Sequence, residues 1–154
     1  MAPNVIRLVI ATAIISAVAL IGWVIVMKPD IERHVARIPG LPLWVYPFAG
    51  VGFAVVNAVM EEAIFRGVIM EALDSALGAG HWSVGIQAVP FAALHYVAGF
   101  PHGLSGFMMV LVYGVMLGAV RRVSKGMLAP VLAHIVADVT IFSILTFIFF
   151  QVSK

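Results

Sequence analysis

Long apolar runs separated by short polar breaks dominate this chain. The first run, Val5 to Met27 (VIRLVIATAIISAVALIGWVIVM), carries only Arg7 near its start. About 20 apolar residues let a helix cross the hydrocarbon core. No small-residue cleavage site closes the run, so a retained helix is expected and not a signal peptide. A polar, proline-punctuated linker follows, KPDIERHVARIPGLP, with room for a short interfacial helix. The second run, Leu43 to Leu77, is too long for one perpendicular span. It predicts a tilted or bent helix, or a span continued by a surface helix.

Gly78–Gly80 break that run. A third span is expected from Trp82 to Gly99, with Pro90 inside as a kink that neighbouring helices accommodate. The fourth, Leu104 to Val120, is rich in glycine and small residues, which suit close helix packing. The fifth runs from Met127 to Phe150. The pattern thus predicts an all-α, polytopic transmembrane helical bundle of about five spans. No repeat or low-complexity segment interrupts it. Arg7, Arg66, Arg121, Arg122 and Lys125 fall on one side of this arrangement, and Lys28, Arg33, Arg37 and Lys154 on the other. That near-balance sets no orientation under the positive-inside rule.

Composition agrees with the pattern. Of 154 residues, 63% are hydrophobic and 10% charged, and the mean hydropathy of +1.12 describes an integral membrane protein. A net charge of +2 with no basic run argues against a nucleic-acid partner. The absence of cysteine removes disulfides and thiolate metal sites.

Ionisable groups inside a membrane are costly, and functional by default. Six lie within the expected spans: Glu61, Glu62, Arg66, His95, His134 and Asp138. Glu62 and Arg66 are four apart and share a helix face, so they can neutralise one another. Glu61 is rotated by about 100° and must find a different partner. His134 and Asp138 are again four apart, and His95 lies one turn after Phe91, whose bulk can fix the imidazole. Simple helical rise allows Glu61, His95 and His134 to meet at an intermediate depth. Any one such residue alone reads as a packing device; six on three helices at compatible depths do not.

The chemistry available is carboxylate plus imidazole, with no cysteine and no serine or threonine beside a base to serve as a nucleophile. That set activates water. Glu61, not tied to Arg66, is the candidate general base, with His95 holding the same water and His134 and Asp138 facing the carbonyl oxygen. Glu61, His95 and His134 also make the ligand set of an open zinc site, although no HExxH is present.

The same residues match a known signature. EEAIFR fits EExxxR, FAALH fits FxxxH and HIVAD fits HxxxN/D, in order and all within expected spans. The sequence therefore resembles the CPBP (CAAX protease and bacteriocin-processing, Abi) family of intramembrane glutamic-type proteases. The likeness covers about residues 43 to 150. It implies a four-helix catalytic core in residues 43–154, with the first helix and linker, 1–42, outside it. By that likeness Glu61 activates water, Glu62 and Arg66 complete the first motif, and His95 helps to hold the water. His134 and Asp138 stand where the family places its oxyanion-stabilising pair. An ionised Asp138 cannot donate a hydrogen bond, so it either carries a proton or orients His134.

The resemblance implies no cofactor, with zinc on Glu61, His95 and His134 as the alternative. It implies membrane lipid and a membrane-anchored or lipidated protein substrate as partners, and gives no oligomeric state. The short length is that of bacterial, myxosortase-like members, which cleave C-terminal anchoring signals. A multi-pass protein of a prokaryotic cytoplasmic membrane that cleaves near a substrate's C-terminus is the resulting expectation. A CAAX-type prenyl-protein endopeptidase ranks behind it, as does a non-catalytic immunity or binding protein. A proton-coupled transporter is disfavoured by the missing inverted repeat.

Overall fold

A computed structural model describes residues 1–97 and 99–152. Lys154 lies outside the described residues. Helix α1 spans Pro3–Met27, α2 is a single turn at Glu32–Val35, and α3 spans Val45–Glu62. A π-helical segment, Ala63–Ile69, joins α3 to α4 (Met70–Leu77) without a break in the rod. Helix α5 spans His81–Val97, α6 Gly103–Ser124 and α7 Leu128–Val152. The expected interfacial helix of the linker is thus the one-turn α2. No strand occurs among the described residues.

Among the described residues, four helices are long and apolar enough to cross a membrane: α1, the 33-residue rod Val45–Leu77, α6 and α7. Helix α5, where the sequence predicts the third span, has 17 residues and falls short of the others. It packs along α6, while α3 packs on α7 and α1 lies against both α6 and α7. If α-helical throughout, the 33-residue rod would be about 50 Å long at 1.5 Å per residue. It outruns a core of about 30 Å. The rod is the continuous alternative among those the sequence leaves open.

Burial is inverted relative to a water-soluble domain. Ile10, Ile14, Val18 and Ile25 of α1 are exposed, whereas Glu62, Arg66, Ser83, Gln87, His134 and Asp138 are buried. This is the arrangement a bilayer imposes, with apolar side chains facing lipid and polar groups satisfying one another inside. The chain is an integral membrane protein.

Close packing of α5 on α6 depends on small residues. A Cβ on Gly114 would stand 3.0 Å from both the Ala88 Cβ and Phe91 Cδ1; on Gly118 it would stand 2.8 Å from the Gln87 Nε2. The expectation of glycine-mediated packing in the fourth span is met at these two positions. Gly114→Val should lower thermal stability in detergent by about 1–3 kcal/mol through overpacking, measured as a fall in Tm. An unchanged Tm would contradict this account of the interface.

The sequence leaves Glu71, Asp74 and the arginines after the fourth span to solvent or lipid headgroups. They are instead joined across helices. Arg121 pairs with Glu71 at 2.8 Å. Arg122, within α6, donates to both Asp74 oxygens at 2.7 Å and to the Ser83 hydroxyl. Three helices meet there, which fastens α4 and α5 to the end of α6. Arg66 is also no flanking charge. It is fully buried.

Candidate active site

The π-helical segment begins directly after Glu62 and contains Arg66. A π turn takes in extra residues per turn and redirects the side chains around it, and such segments gather at functional sites. Arg66 Nη1 donates to Glu62 Oε1 at 2.8 Å, the pair that the four-residue spacing predicts. Its Nη2 donates to the Gly114 carbonyl at 3.1 Å, and the guanidinium lies 4.4 Å above the Phe91 ring. Gln87 donates to the same carbonyl at 2.9 Å. The ion pair is thus anchored to α5 and α6 as well as to its own helix.

Glu62 has a second partner. His134 Nδ1 lies 2.7 Å from the same Oε1. An ionised carboxylate only accepts, so Nδ1 donates and the ring is fixed in direction. Its other nitrogen, Nε2, faces Glu61 Oε2 at 3.5 Å and Asp138 Oδ1 at 3.7 Å. Edge-on contacts from Phe91 (5.9 Å) and Tyr113 (5.7 Å) hold the imidazole plane. Three carboxylates therefore surround one histidine, which sequence spacing alone does not foresee.

Asp138 is held from a further direction, by Asn57 Nδ2 donating to Oδ2 at 3.1 Å. Asn57 escapes the sequence reading. Its signal is its place four residues before Glu61, on the same face of α3. Asp138 thus accepts from Asn57 at Oδ2, while Oδ1 stands 3.7 Å from His134 Nε2, beyond hydrogen-bond reach.

His95 stands apart from this bonded group. Its Nδ1 lies 2.9 Å from the Phe91 carbonyl, and the two rings meet edge-on at 4.8 Å. Phe91 thus fixes the imidazole, as its position one turn earlier suggests. A carbonyl only accepts, so Nδ1 carries the proton and a neutral ring offers Nε2 as an acceptor.

Two cavities meet at these residues. One, of about 650 Å³, is lined by Asn57, Glu61, His95 and Asp138, with His34 and Arg37 of the linker region also in its wall. The other, of about 240 Å³, is mostly apolar and is lined by His95, His134, Asp138 and Tyr113, with Ser16 and Leu20 of α1. The structure therefore brings Glu61, Glu62, Arg66, His134 and Asp138 into one connected cluster and places His95 on the cavity wall beside it. Glu61 Oε2 is buried without a hydrogen-bond partner.

The family of this chain follows from a comparison with protein-family models. Residues 42–140, more than half of the chain, match the type II CAAX prenyl endopeptidase Rce1-like family. The chain belongs to that family. The match contains all six polar residues described above. It also establishes the CPBP resemblance read from the motifs. No curated protein and no solved structure matches the chain.

The metal alternative can be set against the geometry. Zinc ligands sit about 2.0–2.2 Å from the ion, and the 3.5 Å between Glu61 Oε2 and His134 Nε2 suits two neighbours in such a shell. A third is lacking: no three His, Cys, Asp or Glu side chains among the described residues are grouped to hold an ion together. The trio Glu61, His95 and His134 does not fit a metal as arranged.

Proposed function

We propose that this chain is an intramembrane endopeptidase that cleaves a membrane-associated protein near its C-terminus, with Glu61 activating the attacking water. The observation that carries this reading is the Glu61 carboxylate in the wall of the cavity it shares with His95, with one buried oxygen that makes no hydrogen bond and faces His134 Nε2 at 3.5 Å. Glu62 also has one oxygen without a hydrogen-bond partner, but it is fully buried, lines neither cavity, and its Oε1 already receives both Arg66 and His134.

A substrate strand lies along the larger cavity, with water between Glu61 and the Nε2 of His95. Glu61 takes one water proton as the oxygen attacks the carbonyl carbon, and the same proton passes to the leaving amine as the C–N bond breaks. His134 donates from Nε2 to the developing oxyanion. Its Nδ1 donates to Glu62, so it serves in the doubly protonated form, its charge offset by the three surrounding carboxylates. Asp138, held by Asn57 at Oδ2 and 3.7 Å from His134 Nε2 at Oδ1, offsets the charge on His134 and does not itself donate to the oxyanion.

In this reading Glu61 activates water without a metal, a choice supported by the lack of a three-ligand group among the described residues. Activity is expected to survive chelators, with no stoichiometric zinc in the purified protein. Activity lost on chelation and restored by zinc would contradict this. A C-terminal anchoring signal at a prokaryotic cytoplasmic membrane is the substrate class proposed; the prenylated C-terminus named by the family description shares the same end-of-chain geometry. Incubating purified protein in liposomes with both peptide classes separates them. Cleavage of neither by the wild type, in a preparation of intact fold, would contradict the endopeptidase reading.

A further inference from the structure

The sequence assigns His34 to a surface linker, yet its Nε2 lies 3.2 Å from the Gly99 carbonyl, across 65 residues of chain. Gly99 in turn lies directly against His95. A Cβ at Gly99 would stand 2.7 Å from the His95 Cα, and 2.8 and 2.9 Å from its ring atoms Cδ2 and Cγ. Real side chains do not approach this closely, so only glycine lets the backbone rest on that imidazole. The Gly99 N–H also donates to the His95 carbonyl at 3.1 Å. His95 is therefore held by Phe91 through its Nδ1 and by the Gly99 backbone against its ring.

We propose that His34 is a positioning residue for His95, acting by holding the Gly99 carbonyl so that the Gly99 backbone keeps the His95 ring in place. The link runs from the linker preceding the catalytic core, through one hydrogen bond and one close backbone contact, to the histidine on the cavity wall. His34, Gly99 and His95 all line the same cavity as Glu61.

Three further rings keep His34 in position. It stacks on His102 with centroids 5.4 Å apart and meets Phe100 edge-on at 5.5 Å. Trp23 of α1 packs edge-on against Phe100 at 5.4 Å and donates its indole N–H to Ser105 at 2.9 Å. Side chains from α1, the linker, the turn before α6 and α6 itself thus hold the imidazole beside Gly99. Burial lowers the pKa of His34 from its ordinary value against the raising effect of the Gly99 bond, with the Arg33, His102 and Arg37 charges adding to the lowering. The ring is consequently neutral at neutral pH. A carbonyl accepts, so its single proton sits on Nε2 and donates to Gly99, which leaves the buried Nδ1 without a partner.

The role given to His95 rests on the proposed function, but the test does not. It reads the His95 tautomer by nitrogen NMR on full-length protein labelled with ¹⁵N-histidine in lipid nanodiscs, needing no substrate, with His95→Asn to assign the signals. Wild type and His34→Gln, which keeps a donor at that position, should show His95 as one neutral tautomer protonated at Nδ1. His34→Phe keeps a ring against Phe100 and His102 but has no donor. It and Gly99→Ala should lose the single tautomer to an averaged mixture; Tm should stay close to that of wild type for His34→Phe and fall for Gly99→Ala, whose Cβ meets the His95 backbone. A mixed tautomer in the wild type would overturn the proposal. So would His34→Phe or Gly99→Ala spectra that match the wild type, or a His34→Gln spectrum that matches His34→Phe. Should His34→Phe fail to fold, the wild-type, Gly99→Ala and His34→Gln spectra still decide. A merely structural His34 would lower Tm in the His34 variants and leave the His95 tautomer unmoved.

Discussion

Glu61→Gln should lower peptide-bond hydrolysis by roughly 10²- to 10⁴-fold, the range that a positioned general base contributes, while leaving the fold intact. The reason lies in how the two adjacent glutamates divide their contacts. Glu61 has one oxygen without a hydrogen-bond partner, so a neutral amide of nearly the same shape costs little in packing. It removes the only atom placed to accept the water proton in the proposed mechanism. Glu62→Gln should behave differently. Its Oε1 receives Arg66 at 2.8 Å and His134 at 2.7 Å, so its loss disturbs both partners and lowers stability together with activity. Rates and melting temperatures measured side by side in detergent separate the two glutamates. Equal Tm losses for both variants would contradict the division of roles.

The second large effect is expected at Arg66. Arg66→Ala should destabilise the protein by about 3–5 kcal/mol, the usual result of removing one member of a buried ion pair. Glu62 is fully buried and would keep its charge with only His134 to offset it. The Phe91 ring, 4.4 Å below the guanidinium, would lose its cation, and the Gly114 carbonyl would lose one of its two donors. Arg66→Lys should recover little of this. An ammonium is a single point of charge and cannot reach Glu62 and Gly114 while lying flat on Phe91. Denaturant titration or thermal melting of the two variants checks both statements, and a lysine variant as stable as wild type would refute the planar-fork account.

What could be read from the sequence was whatever depends on helical spacing. The i, i+4 rule places Arg66 on Glu62 and aligns Phe91 with His95, and both contacts are present at 2.8 Å and 4.8 Å. Hydropathy locates the long helices, because a bilayer demands continuous apolar length. Contacts between helices obey no such spacing. Asn57 bonds Asp138 across 81 residues, and His134 meets Glu62 across 72; only the packing of α3 on α7 joins them. The π-helical segment is hidden for another reason. Its sequence, AIFRGVI, carries no residue pattern that distinguishes a π turn from an α turn. The length of α5 is a third case. Trp82 to Gly99 looks like a span by composition, but the helix gives 17 residues and ends near Gly99, whose backbone lies against His95. His34 shows the limit most clearly, since a histidine in a polar linker gives no sign that it reaches a carbonyl beside the site.

The most direct test of Glu61 as the water-activating residue is a comparison of protein C-termini in membrane and secreted fractions of host cells carrying either wild type or Glu61→Gln at equal abundance. The account predicts trimmed C-termini on at least one membrane-associated protein with the wild type, and intact precursor with Glu61→Gln. Identical sets of C-termini in the two strains, with the trimmed product present in both, would contradict it.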